Sequence, residues 1–124
     1  MAEGRRAEIV RAARELLEEF GEAFRSAGPS LAGLAQAYRS WALAHPHLHR
    51  LTNDRPLPRC RLPKGLEARA AEPLLAALGD PDRARAAWAA AHGLASLELA
   101  GRFPANADID AAWAAMVRAF DPPG

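Results

Sequence analysis

Between Ile9 and Phe24 the apolar residues Ile9, Ala13, Leu16, Leu17, Phe20 and Phe24 recur at helical spacing. Glu8, Arg11, Glu15, Glu18 and Glu22 occupy the opposite side. The pattern predicts an amphipathic helix from about Glu3 to Ser26, with Arg11–Glu15 and Arg14–Glu18 paired one turn apart on a solvated face. Gly21 falls inside it and marks an expected bend or break. Gly28-Pro29-Ser30 then interrupts the chain, with Ser30 as N-cap of a second helix. That helix, Leu31 to about Ala44, puts Leu31, Leu34, Ala35, Tyr38, Trp41 and Ala42 on one face and carries a single charge, Arg39. A helix this apolar belongs at the centre of a fold. His45-Pro46 ends it, because the residue before proline is driven out of the α region, and Pro46 can start a short helix reaching Thr52.

Asn53 to Gly65 reads as a loop, broken by Pro56, Pro58 and Pro63 and made basic by Arg55, Arg59, Arg61 and Lys64. It is expected to be an exposed linker; a flap over a ligand or a patch for an anionic surface is the alternative. A fourth helix spans about Leu66 to Leu78, with Pro73 expected to kink it and Gly79 to end it. Asp80-Pro81 reads as N-cap and first position of the longest clean helix, Asp82 to Arg102. Ala84, Trp88, Ala91 and Ala95 line one of its sides, while Ala86, Ala90, Leu94, Leu97 and Gly101 spread over the rest. Apolar surface on more than one side implies burial on more than one side, and in a small domain the second side often faces a partner subunit. From Asp108 to Phe120, Ile109, Ala112, Trp113, Met116, Val117 and Phe120 form an amphipathic stripe, flanked by Ala111, Ala114 and Ala115. Pro122-Pro123-Gly124 is read as a frayed stop.

Composition narrows the fold class. The β-branched residues are only Ile9, Val10, Thr52, Ile109 and Val117, while alanine and leucine dominate. A sandwich, a barrel or a βαβ unit is therefore excluded in favour of an all-α bundle of five to six helices. The 124 residues suit one domain and a core that needs no staples. Cys60 is the only cysteine, so no intramolecular disulfide or cysteine-based zinc cluster is expected. A formal net charge of +1 argues against a domain that holds nucleic acid by charge alone. No apolar run approaches the ~20 residues that span a bilayer, and the charged N-terminal segment contains no signal core. The expected location is the cytoplasm.

Little in the chain points to catalysis. It has no Gly-x-Ser-x-Gly elbow, phosphate loop or dinucleotide turn. His45, His47 and His49 alternate, but in a helix only His45 and His49 share a face, and Asp54, Cys60 and His92 complete no diagnostic metal spacing. Cys60 lies among arginines that could activate a thiol, yet a lone loop cysteine is more often incidental. No enzyme activity, metal or cofactor is expected. The most specific local feature is Trp88-Ala89-Ala90-Ala91-His92-Gly93. Trp88 and His92 lie one turn apart, and Gly93 costs ~1 kcal/mol relative to alanine in a helix. Either another helix or a ligand approaches the backbone there, or a buried tryptophan packs on a satisfied core histidine.

Trp41-Ala42-Leu43-Ala44-His45-Pro46-His47-Leu48-His49-Arg50-Leu51, Leu78-Gly79-Asp80-Pro81, Trp88 through Glu98, and Gly101-Arg102-Phe103-Pro104 occur in this order and spacing. Over roughly Leu31 to Phe120 the chain resembles the C-terminal domain of tetracycline-repressor-like (TetR) transcriptional regulators, in the subgroup named for its Trp-His-Gly signature. The resemblance implies a ligand-binding and dimerisation domain whose last two helices pair with those of a second subunit as a four-helix bundle. Ala90, Leu94, Leu97, Gly101, Ala111, Ala114 and Ala115 are then the interface candidates. His49 departs from the family pattern, where an aromatic such as tyrosine is more usual, and this changes the expected polarity of the pocket. Residues 6–17 look somewhat like the opening helix of a DNA-binding head, but no turn and recognition helix follow, so the helix-turn-helix domain is expected to be absent and the chain to make no direct nucleic-acid contact.

The leading expectation is a homodimeric sensor domain of a repressor, binding a small, largely apolar effector. Tyr38, Trp41, His45, Trp88 and His92 are expected at the pocket, aromatics as walls and histidines as hydrogen-bonding groups. Two other expectations compete with it. One is a ligand-free dimerisation module that titrates a full-length relative; the other is a histidine-based metal or haem binder.

Overall fold

A computed structural model describes residues 2–53 and 56–121, without the side chains of Ala2, Glu3 and Thr52. Asp54, Arg55 and the terminal 122–124, each assigned a part in the sequence reading, lie outside the described residues. Among the described residues six α-helices follow one another: α1 (Ala2–Ala27), α2 (Leu31–Ala44), α3 (Pro46–Asn53), α4 (Leu66–Leu78), α5 (Pro81–Leu99) and α6 (Ile109–Phe120). There is no strand among the described residues. The all-α expectation holds.

The chain's own caps set these limits. Ser30 accepts a hydrogen bond from the Gly33 amide, Asp80 from Asp82 and Asp108 from Ala111, which satisfies donors that the first turns of α2, α5 and α6 leave open. Gly79 closes α4 in the left-handed conformation, φ +73°. α5 stops three residues short of the expected Arg102, and the reason lies in Gly101. At φ +65° it lets its own amide bond to the Glu98 carbonyl and the Arg102 amide to that of Leu97. This is the paired closure of a Schellman motif, which a residue with a Cβ adopts only under strain. Gly101, expected at a subunit interface, thus terminates a helix. α1 runs through Gly21 without interruption and α4 through Pro73. The basic loop is less irregular than expected: a 3-10 turn forms at Arg59–Arg61, Arg59 pairs with Glu67, and Leu57 and Leu62 pack against the core.

α2 lies at the centre, packed against α1, α3, α4, α5 and α6. Its buried residues are Leu31, Leu34, Ala35, Tyr38, Trp41 and Ala42, the face the spacing predicted. Leu16, Leu17, Phe20 and Phe24 of α1, Leu66 and Ala70 of α4, and Trp113 and Met116 of α6 share one core cluster with it. The inner face of α5 differs from the expectation. Its buried residues are Ala84, Ala87, Ala91 and Ala95, so Ala87 takes the place read for Trp88. An all-alanine seam lets α5 lie close to α2 and α4; an indole at that level would hold the helices apart. Trp88 is turned outward and is 52% exposed.

Gly33 stands where the start of α2 meets the end of α1. A Cβ at this position would lie 2.7 Å from the Ala27 carbonyl oxygen. Gly33→Ala is predicted to lower stability by about 1–3 kcal/mol, although alanine is the better helix former. Urea denaturation of the two proteins checks this; a stabilised variant would contradict the close approach.

Candidate functional site

The interior polar groups form three small clusters against α2. In the first, the indole Nε1 of Trp41 donates to Glu19 on α1 at 2.8 Å, and the Trp41 ring stacks on His45 with centroids 5.1 Å apart. His45 is the C-terminal cap residue of α2, and its Nδ1 donates to the Trp41 carbonyl at 3.0 Å. Its Nε2 lies 3.6 Å from Glu19, an ion pair when the imidazole is protonated. Trp41 and His45 therefore join α1 to the end of α2, and their polar atoms are used within the protein.

The second cluster centres on Arg39. Its guanidinium grips Glu98 of α5 through Nε and Nη2 at 3.0 and 2.8 Å and donates from Nη1 to Asp110 of α6 at 2.6 Å. Glu98 also accepts from the Trp113 indole at 3.1 Å, while the Arg39 guanidinium stands 5.6 Å from the Trp113 ring centre. Hydrogen bonding to Glu98, partly opposed by burial and reinforced by Asp110, holds the Arg39 guanidinium in its charged form well above its ordinary range.

The third cluster holds the remaining aromatic and imidazole groups. The Tyr38 hydroxyl meets His49 Nε2 at 3.1 Å, and the His49 ring stacks on His92 with centroids 5.2 Å apart and planes at 27°. His49 is 3% exposed, buried on the inner side of α3. Phe20 stacks on Tyr38 at 5.2 Å and tilts against Trp41 at 4.5 Å. His92 Nδ1 is buried and has no hydrogen-bond partner among the described residues. Beside this cluster lies a small apolar cavity of about 20 Å³, bordered by Phe24, Leu34, Tyr38, Leu74, Trp88 and Met116 among others. Its volume is on the scale of a single water and far below the ~300 Å³ and upward of ligand pockets.

Of the five residues expected at a pocket, Tyr38 and Trp88 line this cavity. His92 belongs to the adjoining imidazole pair, whereas Trp41 and His45 form the separate link to Glu19. The expectation of a buried tryptophan packed on a satisfied core histidine does not fit: the indole is not buried, and the buried imidazole nitrogen has no partner among the described residues. His49, not among the residues expected at a pocket, joins Tyr38 and His92 in this cluster. The available signal was its departure from the aromatic expected there, but only the fold brings it to Tyr38 and His92. No group of three or more His, Cys, Asp or Glu side chains that could hold a metal occurs among the described residues.

A second surface runs along the outside of α5 and α6. Trp88, Ala89 and Leu97 are exposed on α5, as are Ala111, Ala114 and Ala115 on α6, while Ala90, Gly93 and Leu94 are half-buried. A Cβ at Gly93 would meet nothing within 4 Å, so no helix of this chain requires that glycine.

Residues 31–120 match the family described as "Tetracyclin repressor-like, C-terminal domain". No curated protein and no solved structure matches the chain.

Tyr38 is the only tyrosine, so its titration can be followed without interference. Burial raises its hydroxyl well above the ordinary value of 10.0. A folded-state value above the unfolded one stabilises fully below pH ~10 and is lost as pH rises beyond it. Phenolate absorbance is therefore predicted to appear only together with loss of helical circular dichroism. Ionisation near the ordinary value with helicity intact would contradict the buried assignment.

Proposed function

The chain belongs to the tetracyclin repressor-like C-terminal domain family, and we propose from this that it is the effector-sensing and dimerisation part of a TetR-like repressor. The effector is a small, largely apolar molecule, and the partner is a second copy of the chain. The observation that carries the reading is Trp88. A half-exposed indole borders a cavity whose other lining residues are apolar apart from the Tyr38 hydroxyl. A large aromatic left facing solvent at the mouth of an apolar space marks a surface meant to be covered. Because the cavity is so small, effector binding involves an outward shift of Trp88 and its neighbour Leu74, which opens room between α2, α4 and α5. Such coupling between occupancy and helix position is what a sensor requires.

The outer face of α5 and α6 supports dimerisation. Small side chains at Ala90, Gly93, Ala111, Ala114 and Ala115 allow close helix approach, with Leu94 and Leu97 as the larger apolar contacts. Arrayed on adjacent helices, they suit a four-helix bundle with a second copy. Effector contacts at Trp88 and dimer contacts at Leu97 then lie on one helix, so a shift of α5 on binding is passed to the subunit interface.

Naphthalene serves as a probe of the pocket. Trp88→Ala is predicted to weaken its binding about tenfold, the effect of removing part of an aromatic wall, while leaving the thermal midpoint nearly unchanged. Lower stability with unaltered binding would instead make Trp88 a packing residue. In sedimentation equilibrium the wild type is predicted to be a dimer and Leu97→Glu, at a position 44% exposed in the single chain, a folded monomer. A monomeric wild type at high concentration would refute the bundle.

A further inference from the structure

We infer that His92 reads the head group of the effector, and that the ligand class is an apolar ring or chain bearing a hydroxyl that hydrogen-bonds to His92 Nδ1. The inference rests on the apolar-effector reading above and adds the polar contact which that reading leaves open.

Among the described residues, His92 Nδ1 is the only buried side-chain nitrogen or oxygen without a hydrogen-bond partner. The other interior polar groups are committed: the Tyr38 hydroxyl to His49, the Trp41 indole to Glu19, the Trp113 indole to Glu98, and His45 Nδ1 to a carbonyl. Buried polar atoms left unpaired in this way are uncommon and call for an explanation. The position of His92 supplies one. It follows Ala91 and lies one turn beyond Trp88, both of which line the apolar cavity. Tyr38 borders the cavity and joins the imidazole pair through His49. His92 does not itself line the cavity; a molecule entering past Trp88 meets it only by widening the cavity beyond Ala91, the outward shift of Trp88 that the apolar-effector reading already requires.

The head group follows from imidazole chemistry. His92 stacks on a second imidazole, which covers one face of its ring and leaves the in-plane Nδ1 as its open contact. A neutral imidazole offers one donor and one acceptor, and its tautomer sets which of them Nδ1 presents. A hydroxyl can donate or accept and therefore fits both. An ammonium head can only donate, and it would carry an unpaired charge into an apolar space. A pure hydrocarbon would cover Nδ1 and leave it unpaired.

The test compares 2-naphthol with naphthalene, which share one ring skeleton, by titration calorimetry on the full chain. In the wild type, 2-naphthol is expected to bind about tenfold tighter, the worth of one added hydrogen bond. In His92→Leu the gap should close, and in His92→Asn, whose amide can meet the hydroxyl, part of it should return. His92→Phe keeps a ring against His49 and makes the same comparison if the leucine variant does not fold. Equal binding of the two compounds to the wild type, or a gap that survives in His92→Leu or His92→Phe, would overturn the role of His92 while leaving apolar sensing intact. Failure of both compounds to bind the wild type would overturn the apolar-effector reading and this inference together.

Discussion

A charge on an otherwise apolar central helix has to be neutralised, and in this domain the means of neutralising it organises the fold. Arg39 is the only charged residue of α2, and 18% of its side chain is exposed. A guanidinium in that position is tolerated only when its planar donors are matched. Glu98 matches two of them and Asp110 a third, while Trp113 lies against the group and binds the same glutamate. One side chain thus joins α2, α5 and α6. Asp110 is well exposed and adds little on its own; the bidentate pair with Glu98, 13% exposed, is the strong contact.

Fixing α5 and α6 to α2 determines what both helices present outward. With the alanine seam Ala84, Ala87, Ala91 and Ala95 turned in, Trp88 emerges beside the cavity and Leu97 on the outer face. The inward-facing aromatics and imidazoles are then held from the other side, by Phe20 against Tyr38 and by Tyr38 against His49. The proposed effector and dimer surfaces are consequently faces of one helix, held to α2 by its alanine seam and by the Arg39–Glu98 pair.

The helices were largely legible in the sequence because their limits are written in local chemistry. Ser30, Asp80 and Asp108 cap by side chain, and Gly79 and Pro46 stop or start helices through backbone restriction. The stripe of α2 was unambiguous because four of its six buried residues are large and its outer face, Leu43 apart, is polar or small. α5 was harder. Alanine on nearly every side leaves periodicity with little contrast, so the choice between Ala87 and Trp88 as the inward residue depended on how closely α2 and α4 approach. The part Gly101 plays in ending α5 was not legible, because sequence alone does not show a left-handed φ. The candidate site was legible in residue types but not in grouping. Trp41 and His45, near Tyr38 in sequence, turned away to Glu19, while His49 and His92, 43 positions apart by their numbers, stack on one another.

The dependence of this arrangement on Arg39 is tested most directly by a double-mutant cycle with Arg39→Met and Glu98→Gln, read by urea denaturation. The account predicts a coupling energy of about 1–3 kcal/mol, as for residues sharing one partly buried network. It also predicts that Arg39→Met costs more alone than beside Glu98→Gln, because the lone substitution strands a carboxylate. Coupling indistinguishable from zero would contradict the claim that this pair holds α5 to the centre of the fold.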